Sequence, residues 1–481
     1  MSPSRRVAIL GGVRIPFVRN NTAYHDVGNL GMSIKALGAL VEKFGLHGEQ
    51  LGEVAMGAVL KHSSDWNIGR EAALSSGLSP STPGITMQRA CGTSLDTVIH
   101  IANKIAVGQI DAGIGGGSDT TSDVPIAVNK RLRRRLLDAN MARSFGARLK
   151  AFKGFKFKEL KPEFPGVGEP RTGKSMGEHC EMMAKEWKIT REDQDQLAFE
   201  SHTKAAMAYD RGFFADLVTP FRGVERDNIL RPDTTVEKLA TLKPAFDKTS
   251  GKGTLTAGNS TPLTDGASAA LLASEEWAAA HGLEVQAYLV DAQVAAVDFV
   301  HGEGLLMAPC WAVAQLLQRN NLRLQDFDFY EIHEAFAAQV LCTLKAWEDP
   351  TFCKEKLGLA DVEPADQYDT ATWPALKERI AALIRSQPRA HWCALLEGSD
   401  ACFAPVLDWD EAAQHPHNVA RGTFVEVGGD LQPAPAPRYS GTATAEPAPA
   451  PMPDNDSDAV LAALGLSPDE CSALRAAGTI A

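Results

Sequence analysis

The chain has 481 residues, 44% hydrophobic and 22% charged, a composition typical of folded globular proteins and not of disordered or fibrous ones. Its 48 Lys and Arg against 60 Asp and Glu give a net charge of −12, which argues against nucleic acid as a partner of the whole chain. The eight cysteines show neither a disulfide framework nor zinc spacing, and no long uncharged apolar run is present. We therefore expect a cytoplasmic protein with reduced thiols.

The first predicted elements alternate as they do in α/β proteins. Residues 6–17 predict a buried strand, and residues 31–46 place apolar side chains on one helical face. The pattern returns at 85–119 and again after about residue 288, where YLVDAQVAAVD and FDFYEIH predict strands and APCWAVAQLLQRNN and EAFAAQVLCTLKAWE predict helices. We therefore expect two α/β units, separated by a middle region of the chain that lacks this alternation of strand and helix.

The middle of the chain is strongly basic. Residues 130–171 hold thirteen Lys or Arg against four Asp or Glu, a local charge of +9. Such a segment, rich in Phe and Gly, suits an anionic ligand such as a phosphate-bearing cofactor, or an acidic membrane surface. A basic face that contacts only solvent explains the composition equally well.

The end of the chain combines a linker and a small helical tail. Residues 433–453 contain seven prolines among Ala, Thr and Ser, so we predict a flexible linker over 431–457. The apolar spacing after it predicts a helix, and Ser467 is placed to cap a second short helix. We expect a helical hairpin over 458–481.

Cys91 is the leading candidate for chemistry. It ends an extended stretch and precedes a predicted helix with an apolar stripe of Leu95, Val98, Ala102 and Ile105. At a helix N-terminus, unpaired N–H groups and the helix dipole favour the thiolate, which is the nucleophilic form. The competing interpretation is a small buried apolar side chain. His179 and Cys180 lack further ligands at metal spacing, so we predict core packing there and no metal site.

Several motifs resemble those of thiolases, in the expected order. They are GGVRIPF near the start, QRACGTSLDTVIHIANKIAVGQIDAGIGGGSD around Cys91, SMGEHCEMMAKEWKITREDQDQLAFESHTKAA, LTAGNSTPLTDGASAALLAS and EIHEAFAAQ. The resemblance spans about residues 5–358. It implies the layered α/β/α/β/α fold of thiolases and a homo-oligomer. HEAF and PLTDGAS resemble the branch that acts on longer 3-ketoacyl-CoA in β-oxidation.

The resemblance also implies roles for individual residues. Cys91 would attack the keto carbon of 3-ketoacyl-CoA, and its own N–H would be one donor to the resulting oxyanion. His333 would hold or replace the water of the oxyanion site, although a histidine packed at a strand end is the alternative. Thr261 and Gly258 would contact the CoA substrate. No covalently bound cofactor is implied.

The resemblance fails after about residue 358. The Gly-His-Pro segment and the late Cys-x-Gly with which thiolases close are both missing, so the second half is expected to be incomplete. Residues from about 362 onward instead resemble the C-terminal part of α-methylacyl-CoA racemase and family III CoA-transferases. The predicted domains are therefore an N-terminal thiolase-like domain (1–125 and 225–280), a loop domain (126–224), a partial C-terminal thiolase-like domain (281–358), a racemase-like segment (359–430), the linker (431–457) and the helical tail (458–481).

Two main functional hypotheses follow. The first is a thiolase-type acyltransferase whose activity is impaired by the missing elements. The second is a degenerate homologue that binds acyl-CoA without turnover, and a CoA-transferase or racemase is a third that depends on the tail alone. Expected partners are CoA, acyl-CoA and a second copy of the chain, with contact to an anionic membrane or a β-oxidation protein through 130–171.

Overall fold

A mixed sheet flanked by helices organises the first part of the chain. The fold is that of a computed structural model, which describes residues 5–359, 373–396, 403–436, 456–480 and a few positions between 441 and 449. Contacts divide the chain into two units, residues 1–364 and 365–481. Each unit is described separately below.

The first unit begins with strands and helices in alternation. The sequence repeats a buried apolar run followed by an amphipathic helix, and the structure forms both as predicted. The elements are β1 (Val7–Arg14), β2 (Val18–Arg19), α1 (Asn29–Lys43), β3 (Glu53–Gly57), α2 (Ile68–Ser75), β4 (Gly84–Met87), α3 (Thr93–Ala106) and β5 (Ala112–Asp119).

The loop region and the return to the sheet follow. The loop region contains two helices of the basic segment, a short two-stranded pairing, and two further helices of 11 and 20 residues. The elements are β6 (Ala127–Val128), α4 (Lys130–Met141), α5 (Phe145–Ala151), β7 (Pro162–Glu163), α6 (Met176–Glu186), α7 (Arg191–Asp210), α8 (Val236–Ala240), β8 (Thr264–Ser274), α9 (Glu275–Ala280), β9 (Ala287–Leu289), α10 (Ala308–Asn320), α11 (Ala337–Glu348) and α12 (Pro350–Glu355).

The main sheet has the strand order β4-β3-β5-β8-β1-β9, with β2 paired to β8. Strands β3, β4 and β5 are parallel, whereas β8 runs antiparallel to both β5 and β1. One hydrophobic core lies between this sheet, α1 and α2, and a second is built mainly from α6, α10, α11 and α12. The predicted α/β architecture is therefore confirmed for the first unit.

The second half departs from the predicted strands. Of YLVDAQVAAVD (residues 288–298), only Tyr288 and Leu289 belong to a strand, β9, which pairs with β1 of the main sheet. FDFYEIH is extended without strand pairing, and Phe329 is 88% exposed. The strand prediction was wrong there because a strand needs a neighbour to receive its backbone hydrogen bonds, and the described residues supply none. This agrees with the expected incomplete second half.

The second unit is mostly helical. It contains α13 (Trp373–Arg385), α14 (Arg389–Leu396), α15 (Trp409–Gln414), α16 (Pro416–Ala420), the hairpin β10 (Phe424–Val427) and β11 (Asp430–Pro433), α17 (Ser457–Ala463) and α18 (Pro468–Ala476). Ser467 and Glu470 form the reciprocal capping box of α18, as the sequence predicts. The first residues of the predicted linker belong to β11.

Candidate active site

Cys91 lies in a tight turn between β4 and α3. The N–H of Gly92 donates to the carbonyl of Arg89 at 3.0 Å, and the Thr93 hydroxyl donates to the carbonyl of Ala90 at 2.7 Å. Ala90 has φ +40°, a conformation that L-residues rarely adopt. Because such strain concentrates where a side chain must be aimed, this turn fits a role in presenting Cys91, whose side chain is exposed.

Helix α3 is held against β5 by the glycine run GIGGG. A Cβ atom on Gly115 would lie 2.7 Å from the backbone nitrogen of Val98, so only glycine permits this approach. These glycines lie within β5, a buried strand inside the sheet. Leu95 departs from the predicted apolar stripe: it is 65% exposed, while Thr97, Ile101, Ala102 and Ile105 form the buried face.

The site lies at the edge where β3, β4 and β5 end. Because parallel strands share their carboxyl ends, the turn with Cys91 shares this edge with residues 58–62 and 119–123. Asp265, at the start of β8, is buried and accepts hydrogen bonds from the Thr120 hydroxyl and the Thr121 N–H, both at 2.9 Å. Asp265 therefore fixes segment 119–123. The sequence analysis missed it, although a lone carboxylate in an otherwise apolar strand was a usable signal.

Two buried carboxylates from helices hold the loop that carries Gly258 and Thr261. Glu181 of α6 accepts from the N–H groups of Thr254 and Leu255 at 2.9 and 3.0 Å. Asp195 of α7 accepts from the Asn259 amide at 2.9 Å and from Arg191 at 2.6 Å. Both side chains are at most 3% exposed, so each carboxylate is desolvated and depends on these donors.

We expect Asp195→Ala to destabilise the chain by about 3 kcal/mol, because it leaves Arg191 and the Asn259 amide without their buried acceptor. Urea unfolding measures the change, and Glu192→Ala, an exposed acid on the same helix, is the matched control. A loss for Asp195→Ala no larger than that of the control would contradict the anchoring role.

The anchored loop pairs with the segment that contains His333. The Thr261 N–H donates to the Ala335 carbonyl at 3.1 Å, and the Ala337 N–H donates to the Asn259 carbonyl at 3.0 Å. Thr261 and His333 are therefore brought close in the fold, and both are exposed. Gly258 packs against α8, since a Cβ there would lie 2.6 Å from Leu239 Cδ2. Within the described residues, no hydrogen bond joins Cys91 to His333.

The structure adds His202 of α7 to the candidate residues. Burial and the charge of Arg231 lower the pKa of His202, while Glu334, the neighbour of His333, opposes the shift. A second imidazole, that of His202, therefore lies near enough to the HEAF segment (residues 333–336) to interact with the charge of Glu334. The sequence does not single out His202, because nothing in its local pattern distinguishes it from a surface helix residue.

The remaining described cysteines differ sharply from Cys91. Cys180, Cys310, Cys342, Cys353 and Cys471 are buried, and Cys393 is half-buried. Burial raises the pKa of Cys310 and of Cys342 to about 12, and raises that of Cys180 further. His179 and Cys180 are buried on α6, as predicted. In the parts of the chain that the structure covers, no group of three or more His, Cys, Asp or Glu is arranged to hold a metal ion.

Comparisons with known proteins agree with this geometry. The family model for the thiolase N-terminal domain matches residues 7–276. The chain is 40% identical over 359 residues to the 3-ketoacyl-CoA thiolase of Shewanella halifaxensis (strain HAW-EB4), covering 73% of this chain and 81% of that protein. The fold and these matches define an α/β acyltransferase. The chain belongs to the thiolase family.

Solved structures and a second family model complete the comparison. An acetyl-CoA acetyltransferase from Bacillus anthracis superimposes with a TM-score of 0.62 at 29% identity, over 75% of this chain and 85% of that one. Human mitochondrial 3-ketoacyl-CoA thiolase in complex with CoA gives 0.60 at 27% identity, over 74% and 83%. CoA-transferase family III matches residues 255–457. Among the described residues, no helix is long and apolar enough to cross a membrane.

Proposed function

We propose that this chain transfers acyl groups from 3-ketoacyl-CoA through a thioester on Cys91, as part of β-oxidation. The observation that carries the proposal is the exposed Cys91 in the strained turn before α3, in a chain of the thiolase family. The thiolate would attack the keto carbon, and the bond between carbons 2 and 3 would break. The departing carbanion would take a proton to become acetyl-CoA, and a CoA thiolate would then displace the acyl group from Cys91.

The proposed roles of the other residues follow from their positions. The oxyanion that forms during attack would accept a hydrogen bond from the Cys91 N–H, in the turn just before α3. His333 would hold or replace the water at that oxyanion site. Thr261, whose hydroxyl has only a 3.4 Å contact with the Pro262 carbonyl, would contact CoA, with Gly258 beside it.

The second candidate is an acyl-CoA-binding homologue without turnover. Specific observations favour it: the sequence lacks the Gly-His-Pro and Cys-x-Gly elements, and segment 327–333 has no strand neighbour among the described residues. One experiment separates the two functions. Purified protein is incubated with acetoacetyl-CoA and a longer 3-ketoacyl-CoA, with and without free CoA, while thioester loss and the mass of the Cys91 peptide are followed. Acylation without CoA-dependent release identifies the second function.

We also propose that the chain forms a homo-oligomer. Strand β4 ends the sheet order, and Leu95 is exposed on α3, the helix that follows β4 in the chain. Exposed sheet edges are commonly covered by a second chain. Light scattering should give at least a dimer for the wild type and a monomer for Leu95→Glu, while Val107→Glu, at the other end of α3 and 77% exposed, stays oligomeric. A monomeric wild type at micromolar concentration would refute the proposal.

The remaining proposals concern location and contacts. Cys91, Cys180, Cys310, Cys342, Cys353 and Cys471 are free thiols, which fits a reducing compartment, and we propose a cytoplasmic location. The basic segment 130–171 is proposed to contact an anionic membrane or a β-oxidation protein.

A further inference from the structure

The turn that presents Cys91 is exposed along its whole length. Residues 88–92 are all exposed, and Ala90 has φ +40°. For an Ala residue this left-handed conformation is disfavoured by roughly fivefold or more relative to relaxed backbone. Because exposed side chains bury little apolar area, the polar contacts of the turn must offset this preference.

The backbone of Arg89 closes this turn. Its N–H donates to the Thr93 hydroxyl at 2.7 Å, and its carbonyl accepts from the Gly92 N–H at 3.0 Å. Thr93 is itself fixed, because it is 5% exposed and packs against Gly57 of β3, where a Cβ atom would lie 2.1 Å from Thr93 Cγ2. The position of the Arg89 backbone therefore determines the course of residues 90–92.

The Arg89 side chain joins the same turn to α3. Its Nε lies 2.9 Å from Oδ2 of Asp96. The Asp96 side chain is 12% exposed and that of Arg89 is 52% exposed, so this ion pair is stronger than one between two fully exposed side chains. Asp96 is held by the helix, since its N–H donates to the Gly92 carbonyl at 2.9 Å. The pair therefore ties the residue before Ala90 to the helix that follows Cys91.

A second polar contact holds the start of the turn. The Lys61 ammonium donates to Oε1 of Gln88 at 2.9 Å and to the Ala58 carbonyl at 3.0 Å. The loop after β3 therefore fixes residue 88, and Asp96 fixes residue 89. Ala90 and Cys91 follow directly after these two fixed residues.

We propose that Arg89 and Asp96 are positioning residues, whose ion pair holds the turn in the conformation that presents Cys91 for attack. Their effect passes through the backbone of Arg89 and Ala90 and needs no contact with the substrate. This inference rests on the proposed role of Cys91 as the nucleophile. When the pair is broken, the turn relaxes in a larger fraction of molecules, and the reactivity of Cys91 falls in proportion.

The rate at which iodoacetamide alkylates Cys91 tests the proposal, because this small neutral reagent needs no CoA site. Arg89→Met and Asp96→Ala should each slow alkylation about three- to fivefold, the upper range for a partly exposed ion pair. The double variant should be no slower than either single variant, because both changes remove the same interaction. Salt at about 1 M should slow alkylation of the wild type and leave the double variant unchanged.

Single-turnover acylation by acetoacetyl-CoA separates positioning from substrate binding. In both single variants the maximal rate should fall by the same factor as alkylation, while the half-saturating concentration of acetoacetyl-CoA stays that of the wild type. Arg70→Met with Glu71→Ala is the matched control, because it removes an Arg–Glu ion pair of 2.6 Å at the start of α2. This control should react like the wild type in both assays.

Three results would overturn the proposal. Opposite changes in Arg89→Met and Asp96→Ala would show that the Arg89 charge acts directly on the thiolate. A raised half-saturating concentration in Arg89→Met alone would show that Arg89 contacts CoA. Wild-type alkylation rates in both variants would show that the turn keeps its conformation without the pair. A wild type that is alkylated at Cys91 but not acylated by acetoacetyl-CoA would instead contradict the proposed function, and the alkylation rates would still test the pair.

Discussion

Cys91→Ser should abolish formation of the acyl-enzyme and the rapid alkylation of the protein by iodoacetamide. Acyl transfer should fall by a factor on the order of 10⁴ or more, the loss typical of removing a nucleophile. The reason is accessibility: of the seven described cysteines, Cys91 is the exposed one and the one placed just before a helix. Peptide mass spectrometry after timed exposure to iodoacetamide or acetoacetyl-CoA measures both effects.

Cys471→Ser is the control, because Cys471 lies on α18 in the second unit and its replacement should leave acylation and alkylation of Cys91 unchanged. The buried thiols of Cys180, Cys310 and Cys342 have raised pKa values and should react only when the protein opens. Rapid modification of Cys180 or Cys342 in the wild type, with Cys91 unmodified, would show that the nucleophile has been assigned wrongly.

Local sequence patterns predicted the parts of the site that depend on local structure. The position of Cys91 before α3 follows from an extended run that meets a helical pattern, and the cap of α18 follows from Ser467 and Glu470. A lone carboxylate in a largely apolar strand marks Asp265 as a candidate, but local patterns could not predict which groups Asp195 and Asp265 hold, because these carboxylates accept hydrogen bonds from residues 64 and 145 positions away. Nor could they predict that Arg135, one of five cations in six residues, is used within the fold.

The second half shows the complementary limit of sequence patterns. FDFYEIH has the apolar character of a strand, and Tyr330 does pack against the Trp347 ring, with 5.8 Å between centroids. Whether such a run becomes a strand depends on a neighbour elsewhere in the chain. The sequence resembles thiolases up to about residue 358, so the local pattern persists where the pairing does not. The resemblance to thiolases also identified the missing Gly-His-Pro and Cys-x-Gly elements, on which turnover depends.

Turnover should be strongly impaired even where Cys91 becomes acylated. Thiolysis needs a base to ionise Cys91 and the incoming CoA, and an acid to protonate the departing acetyl-CoA carbanion. In thiolases these functions belong to the histidine and the second cysteine that this sequence lacks. A general acid or base contributes roughly 100- to 10,000-fold in rate, so losing one gives a slow enzyme and losing both leaves almost no turnover.

The described residues offer few groups that could replace the missing histidine and second cysteine. The other described cysteines are buried or half-buried, and His415 and His417 belong to the second unit, without the glycines that would let backbone approach a thioester. Two histidines belong to the region of the HEAF segment: His333 itself and His202, which interacts with the charge of Glu334. Either imidazole could act as the base or as the acid, but one imidazole could not do both at once.

The rate of steady-state thiolysis should therefore be much lower than the rate of single-turnover acylation of Cys91. Acylation of Cys91 should be detectable by mass within minutes, while release by free CoA should be at least about 100-fold slower than in thiolases that carry both elements. His333→Ala should slow the residual release further, because it removes an imidazole that can still move a proton, and His281→Ala, on the surface beside Trp277, is the matched control. A thiolysis rate within tenfold of ordinary thiolases, unchanged when His202, His333, His415 and His417 are all replaced by Ala, would show that proton transfer uses groups other than these.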